Sequence, residues 1–263
     1  MIGRYYMLRA LKVLKVTAEI FTPYLPMYKP LQEMETPHTQ VARRKRISVQ
    51  EGKHYFVVGK TGMGKTKLIK EMIGKKVSVQ PNLNIYHLDT KKRGDFTSAD
   101  GIMFQTEKAP AAFKTMGNRM VWQPFDDNKN EYSKFFLDIL NTGLPSVVNV
   151  DEAINMTFGG IDNIPRGLKI LLAQGRLPGI HVFGGTQEVA RSPRQMHSQA
   201  YHVISFNVIN DYDERMMLKM LRLNERGMKK LGLKQYEFWH IRPDVDDKAQ
   251  LYHSWEELVN KII

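Results

Sequence analysis

The chain has 263 residues, enough for one large domain or one domain with appendages. Hydrophobic residues make up 42% and charged residues 25%, as in an ordinary soluble globular protein, and the absence of cysteine excludes disulfides, thiolate metal sites and cysteine catalysis. The formal net charge is +12, a surplus that points to a polyanionic partner, either nucleic acid or an anionic membrane surface.

At the N-terminus, Met7, Leu8, Leu11, Leu14, Ala18 and Phe21 recur at helical spacing, with Arg4, Arg9, Lys12 and Lys15 mostly on the other side. This reads as a basic amphipathic helix that rests on a membrane or a capsid protein, or as a helix packed on its own domain. No apolar run approaches the length of a spanning helix, so none is expected. The cations are scattered through the apolar part, which argues against a signal peptide. Pro23, Pro26, Pro30 and Pro37 then predict an extended linker. Arg43-Arg44-Lys45-Arg46 is a solvated basic face or a contact to DNA phosphates. These features divide the chain into an N-terminal arm, residues 1–42, and a main domain, residues 43–263.

The main domain opens with its most informative stretch. His54 to Val58 is short, apolar and rich in aromatic and β-branched residues, which predicts a buried strand. It runs into Gly59-Lys60-Thr61-Gly62-Met63-Gly64-Lys65-Thr66, which satisfies G-x-x-x-x-G-K-[ST] at every fixed position. Leu68, Met72 and Ile73 then mark a helix over 67–75. A phosphate chain carries several negative charges and needs donors on all sides. Glycines let the backbone curl with its N–H groups turned inward, and the following helix adds the positive end of its dipole. All eight loop residues are therefore expected to bind nucleotide. Lys65 would reach the β- and γ-phosphates of ATP, and the Thr66 hydroxyl would hold Mg²⁺.

Further strands are predicted at Asn84 to Leu88, Gly101 to Gln105 and Arg119 to Gln123, and a helix at Tyr132 to Leu140. Ser146 to Val150 is another buried strand, and it ends in Asp151-Glu152. An apolar strand ending in Asp-Glu is the expected partner of the glycine loop: Asp151 would bind Mg²⁺ through water, and Glu152 would orient and polarise the attacking water. Gly167 to Gln174 reads as a helix, Gly179 to Gly184 as a strand ending in Gly185-Thr186-Gln187, and Tyr201 to Val208 as the next strand. Asp211 to Leu223 is a helix with Met216, Met217, Met220 and Leu221 as core, Tyr236 to Ile241 a late strand, and Ser254 to Ile263 a last helix. Alternating strands and helices with buried apolar strands predict an α/β fold with a mainly parallel sheet, covered by helices on both faces.

GKTGMGKT at 59–66, HLDTKKR at 87–93, VVNVDEA at 147–153 and LLAQGRLPGIHVFGGTQ at 171–187 together resemble the FtsK–HerA superfamily of DNA-pumping P-loop ATPases, and Asp213-Glu214-Arg215 is also similar to that family. The resemblance covers about residues 45 to 245. It implies a RecA-like fold, ATP hydrolysis with Mg²⁺, a ring that is usually hexameric, and double-stranded DNA moved without regard to sequence. A nearly bare motor of this length is similar to the packaging ATPases of tectivirus-like icosahedral viruses with an internal membrane. That implies a place at the packaging vertex of the virion and in the host cytoplasm, with residues 1–42 docking on capsid vertex proteins or the viral membrane.

The resemblance also assigns roles. Gln187 would sense the γ-phosphate and couple hydrolysis to movement. Arg176 would be an arginine finger acting on the neighbouring subunit's nucleotide, with Arg194 as its rival. Asp89 and Lys91 match the family's second-strand Asp-x-Lys without a derived role. Arg166, Lys169, Arg191 and Arg194 are expected to touch DNA in the pore, from their predicted loop positions. Three other readings stay open: a Zot-like filamentous-phage assembly or secretion ATPase, a non-motor nucleotide-binding virion protein, and a small-molecule kinase.

Overall fold

The computed structural model describes residues 51–91, 95–112, 119–224 and 233–263. The expected N-terminal arm, the basic run at 43–46 and the boundary near residue 42 lie outside the described residues.

Strands and helices are interleaved along the chain. The strands are β1 (Tyr55–Val58), β2 (Asn84–Leu88), β3 (Ile102–Thr106), β4 (Arg119–Pro124), β5 (Ser146–Val150), β6 (Ile180–Thr186), β7 (His202–Ser205), β8 (Phe238–Ile241) and β9 (Gln250–Tyr252). The α-helices among the described residues are α1 (Lys65–Val79), α2 (Lys129–Asn141), α3 (Arg166–Gln174), α4 (Arg194–Ser198), α5 (Asp211–Leu221) and α6 (Trp255–Ile262). A 3₁₀ turn, Ala153–Met156, follows β5.

The strands form a nine-stranded sheet in the order β3-β4-β2-β5-β6-β1-β7-β8-β9. All pairings from β3 through β7 are parallel, while β8 runs antiparallel to both β7 and β9. The expected fold class holds: α/β, with a mainly parallel sheet. The alternation of side chains explains why both faces need cover. Phe56, Val58, Tyr86, Leu88, Val148 and Val150 point to one face and pack with α2, α3 and α5. Tyr55, Val57, Ile85 and Val147 point to the other and pack with α1 and α6. The central strands are buried along their whole length, whereas edge strand β3 is half-buried to exposed.

The local signals explain the ends of several helices. Asn128 caps α2, its side chain accepting from the Asn130 and Glu131 N–H groups. Asn210 caps α5 in the same way, and Ser254 caps α6. Met217 and Leu221 are core, as the spacing predicts, with Met216 and Met220 packed against its margin. The structure differs from the sequence reading mainly in extent. β7 stops at Ser205 rather than continuing to Val208, and α5 ends at Leu221 because Arg222 takes a left-handed conformation, φ 53°. The short elements α4 and β9 carry too few residues to show a period.

Candidate active site

In a parallel sheet, loops that follow strand C-termini converge on one edge. The glycine loop leaves β1, Lys91 follows β2, Asp151-Glu152 follows β5, and Gln187 follows β6. Because β2, β5, β6 and β1 are consecutive in the sheet, these groups meet. Two glycines are needed to seat the loop. Gly59 has φ 153° and Gly64 has φ 105°; a Cβ at Gly59 would lie 2.5 Å from Phe206 Cβ, and one at Gly64 would lie 2.5 Å from the Tyr236 ring. Lys65 opens α1 and folds its ammonium back over the loop, donating to the Gly59 carbonyl at 2.5 Å and the Lys60 carbonyl at 2.9 Å. Thr61, Gly62, Gly64, Lys65, Thr66 and Gln187 border a cavity of about 280 Å³ beside the loop.

One hydrogen-bonded chain ties the groups together. The Thr61 hydroxyl donates to Gln187 Oε1 at 2.8 Å. Gln187 donates to Glu152 twice, from its backbone N–H to Oε1 at 3.1 Å and from Nε2 to Oε2 at 3.3 Å. Lys91 Nζ lies 2.9 Å from Glu152 Oε2 and 3.7 Å from Asp151 Oδ2. Both carboxylates are buried. Burial pushes the Asp151 carboxyl up to about 6, against the Lys91 charge, which acts to lower it. Burial likewise brings the Lys65 ammonium down to about 8, with Lys91 adding to the effect and Glu152 and Asp151 opposing it. At neutral pH both groups are still mostly ionised.

Asp151 Oδ2 is buried and makes no hydrogen bond. This buried carboxylate oxygen and the Thr66 hydroxyl, at the start of α1, are the oxygen donors that the two motifs supply. They suit a hard cation such as Mg²⁺, which keeps most of its waters.

Second-layer contacts fix this edge. Asp89 closes the end of β2: its N–H donates to the Trp122 carbonyl at 2.9 Å, and Gln123 Nε2 donates to its Oδ2 at 2.7 Å. Asn155 Nδ2 donates to the Thr90 hydroxyl at 2.9 Å. These bonds hold the turn that carries Lys91. Asp213 Oδ1 accepts from the Ala190 N–H at 2.7 Å and so ties α5 to the loop that carries Gln187. The sequence reading paired Asp89 with Lys91 but gave neither a role; their contacts are visible only once β2 is seen between β4, which holds Asp89, and β5, whose end meets Lys91.

Arg176 does not join this cluster. It precedes β6, and β6 is parallel to β1, so Arg176 sits at the end of the sheet opposite the glycine loop. There it lies 3.0 Å from Glu51 Oε1, its carbonyl accepts from the Gly52 N–H at 2.8 Å, and its side chain is 37% exposed. Arg194 lies at the glycine-loop end, 3.7 Å from Asp162. The basis for the four DNA-contact residues needs correction, because only Arg191 is in a loop. Arg166 and Lys169 are in the first turn of α3, and Arg194 opens α4, since Pro165 and Pro193 each start a helix at the next residue. Arg166, Arg191 and Arg194 are exposed and Lys169 is half-buried.

No family model and no curated protein matches the sequence. Solved structures do. The genome-packaging NTPase B204 of Sulfolobus turreted icosahedral virus 2, in complex with sulfate, aligns over 78% of this chain and 97% of its own, with a TM-score of 0.60 and 19% identity. B204 from Sulfolobus turreted icosahedral virus, described as a DNA-packaging ATPase, aligns over 78% of this chain and 98% of its own, with a TM-score of 0.60 and 17% identity. The chain shares the fold of these packaging ATPases. The conjugation coupling protein TcpA of pCW3, solved with ATPγS, also aligns, over 82% of this chain and 65% of its own, with a TM-score of 0.53 and 16% identity. B204 structures have been solved with AMP, AMPPCP and ATPγS. Among the described residues of this chain, no helix is long and apolar enough to cross a membrane.

Proposed function

We propose that the protein is an ATP-driven double-stranded DNA translocase that packages a viral genome into a preformed capsid. The observation that carries the ATPase part is Gln187, which bridges the glycine loop at Thr61 and the buried carboxylate of Glu152. A group so placed touches both the phosphate site and the general base. The DNA part is supported by the net charge of +12 and by the shared fold with packaging and coupling ATPases.

The reaction is ATP + H₂O → ADP + phosphate. A water oxygen attacks the γ-phosphorus, the bond to the β-phosphate oxygen breaks, and Glu152 takes the water's proton. The loop N–H groups and Lys65 bind the β- and γ-phosphates. Thr66 and Asp151 would hold Mg²⁺, which neutralises phosphate charge. Catalysis is positioning plus charge stabilisation, with no covalent intermediate. Gln187 senses the γ-phosphate, because loss of that group changes its contacts to Thr61 and Glu152. Arg176, a half-exposed cation at the far end of the sheet, would serve the nucleotide of the next subunit in a homo-oligomeric ring, taken as a hexamer. Arg166, Lys169, Arg191 and Arg194 supply sequence-independent phosphate contacts, and residues 1–42 dock the ring on the vertex or membrane of the virion.

The test is ATP hydrolysis with and without double-stranded DNA at low salt. Stimulation of several-fold supports the translocase. Hydrolysis that ignores DNA of any length favours an assembly ATPase instead.

A further inference from the structure

Past the phosphate site the cavity has one more wall, and no residue of the glycine motif supplies it. Residues 233–237 cross over the loop just before β8. They are held there from several sides. The Tyr236 N–H donates to the Met63 carbonyl at 3.3 Å, and Gln235 Nε2 donates to the Gly62 carbonyl at 3.0 Å. Asn207 Nδ2 donates to the Leu233 carbonyl at 2.7 Å, while the Asn207 carbonyl accepts from the Lys60 N–H at 2.7 Å. The segment is thus bonded to the glycine loop directly and through Asn207.

Tyr236 is held at φ 73°, a left-handed conformation that a residue with a large side chain rarely adopts. Such strain persists where the surroundings fix it, and it clusters at ligand clamps. Its effect here is to lay the ring on the Gly64 backbone, where a Cβ would lie 2.5 Å from the ring. Tyr236 is still 36% exposed and borders the same cavity as Lys65 and Thr66. The ring face accepts a partner: the ammonium of exposed Lys67 lies 5.2 Å from its centroid. Gln187 and Glu152 mark the γ-phosphate end of the site. Tyr236 and Lys67 border the same cavity as Lys65 and Thr66, within reach of the sugar and base of a nucleotide whose phosphates lie on the loop.

We propose that Tyr236 is the stacking platform for the base of the bound nucleotide, its ring face taking the base in place of the Lys67 ammonium. This rests on the ATPase reading. It adds a subsite that recognises a nucleoside rather than polyphosphate alone, and it gives the strained turn a purpose.

The test compares ATP with inorganic tripolyphosphate by calorimetry, on the full chain and on Tyr236→Gly, Tyr236→Phe and Lys65→Ala. Glycine removes the ring and relieves the left-handed turn, so the loop keeps its path. Tyr236→Gly is expected to weaken ATP binding roughly 10- to 100-fold, since a stacked base contributes a factor of that order. Tripolyphosphate binding is expected to stay unchanged, and Tyr236→Phe to bind ATP like the parent. Equal weakening of both ligands, or of neither, overturns the proposal. Lys65→Ala is the separate control: if it weakens neither ligand, the nucleotide site itself is misassigned.

Discussion

The two ends of the same sheet are built on opposite principles. At the C-terminal end of β1, β2, β5 and β6, ionisable groups share partners: Lys91, Asp151, Glu152 and Gln187 form one connected set, joined to the glycine loop through Thr61. At the N-terminal end, the buried histidines are neutral. His54 Nδ1 accepts from the Val182 N–H at 3.3 Å while Nε2 donates to the Leu172 carbonyl at 3.0 Å, and His181 Nδ1 accepts from the Lys53 N–H at 3.0 Å. His202 and His240 pair through their ring nitrogens at 3.0 Å. Burial is the main cause that brings His54 down to about 4, His181 to about 3 and His240 to about 4, and it lowers His202 as well. The difference teaches where the fold stores charge for chemistry and where it only needs hydrogen bonds. Lys76, buried against the Tyr55 ring, and Arg176 are cations at this end, and Arg176 is the exception in being half-exposed, which is why it reads as serving a neighbour.

That exception gives the largest expected effect. Arg176→Ala should cut hydrolysis about 10³- to 10⁵-fold, the range for arginine fingers. Mixing Arg176→Ala chains with equally inactive Lys65→Ala chains should restore part of the activity, because one interface then combines an intact loop with an intact Arg176. No recovery on mixing would place Arg176 in a purely structural role. Next in size, Glu152→Gln should lower turnover about 10²- to 10⁴-fold, as loss of a general base does, while equilibrium binding of ATP stays within a few-fold of the parent. Lost binding would mean that Glu152 holds up the loop rather than polarising water.

The neutral end is probed by acid. A histidine whose folded pKa lies below its ordinary value of about 6.5 is neutral when folded and takes up a proton on unfolding. Its contribution is present at neutral pH and is lost as pH falls from about 6.5 toward about 4, at up to roughly 1.4 kcal/mol per pH unit for each ring. Urea unfolding should therefore show a loss of several kcal/mol between pH 7 and pH 5. Equal stability at the two values would contradict a neutral histidine layer. The smallest effect is at the charged end. Asp151 must be ionised to hold a cation, so hydrolysis should decline as pH falls through about 6. Lys91→Met removes the charge that opposes burial and should move that decline to higher pH; an unmoved profile would mean Lys91 does not act on Asp151.

The charged end was largely legible in the sequence, and the neutral end was not, for a physical reason. A phosphate loop is a local object: strand, glycines, lysine and helix must follow one another, so spacing alone exposes Gly59 to Thr66. Asp151-Glu152 is legible for the same reason, as a strand and its end. Gln187 became legible through the resemblance. The histidines sit singly in separate stretches and meet only across the ladder, where Ile204 faces His240 and Tyr55 faces His202. Tyr236 likewise belongs to no motif, and its left-handed turn carries no glycine or asparagine to announce it. Arg166, Lys169 and Arg194 were given loop positions, whereas in the fold Pro165 and Pro193 are each followed directly by a helix that carries them.

The most direct test of the account is movement itself. A duplex carrying a short third strand is incubated with the protein and ATP, and release of the third strand is followed over time. The account predicts release that requires ATP, does not depend on the duplex sequence, and disappears in Glu152→Gln. Steady hydrolysis in the presence of that DNA with no release of the third strand would contradict it.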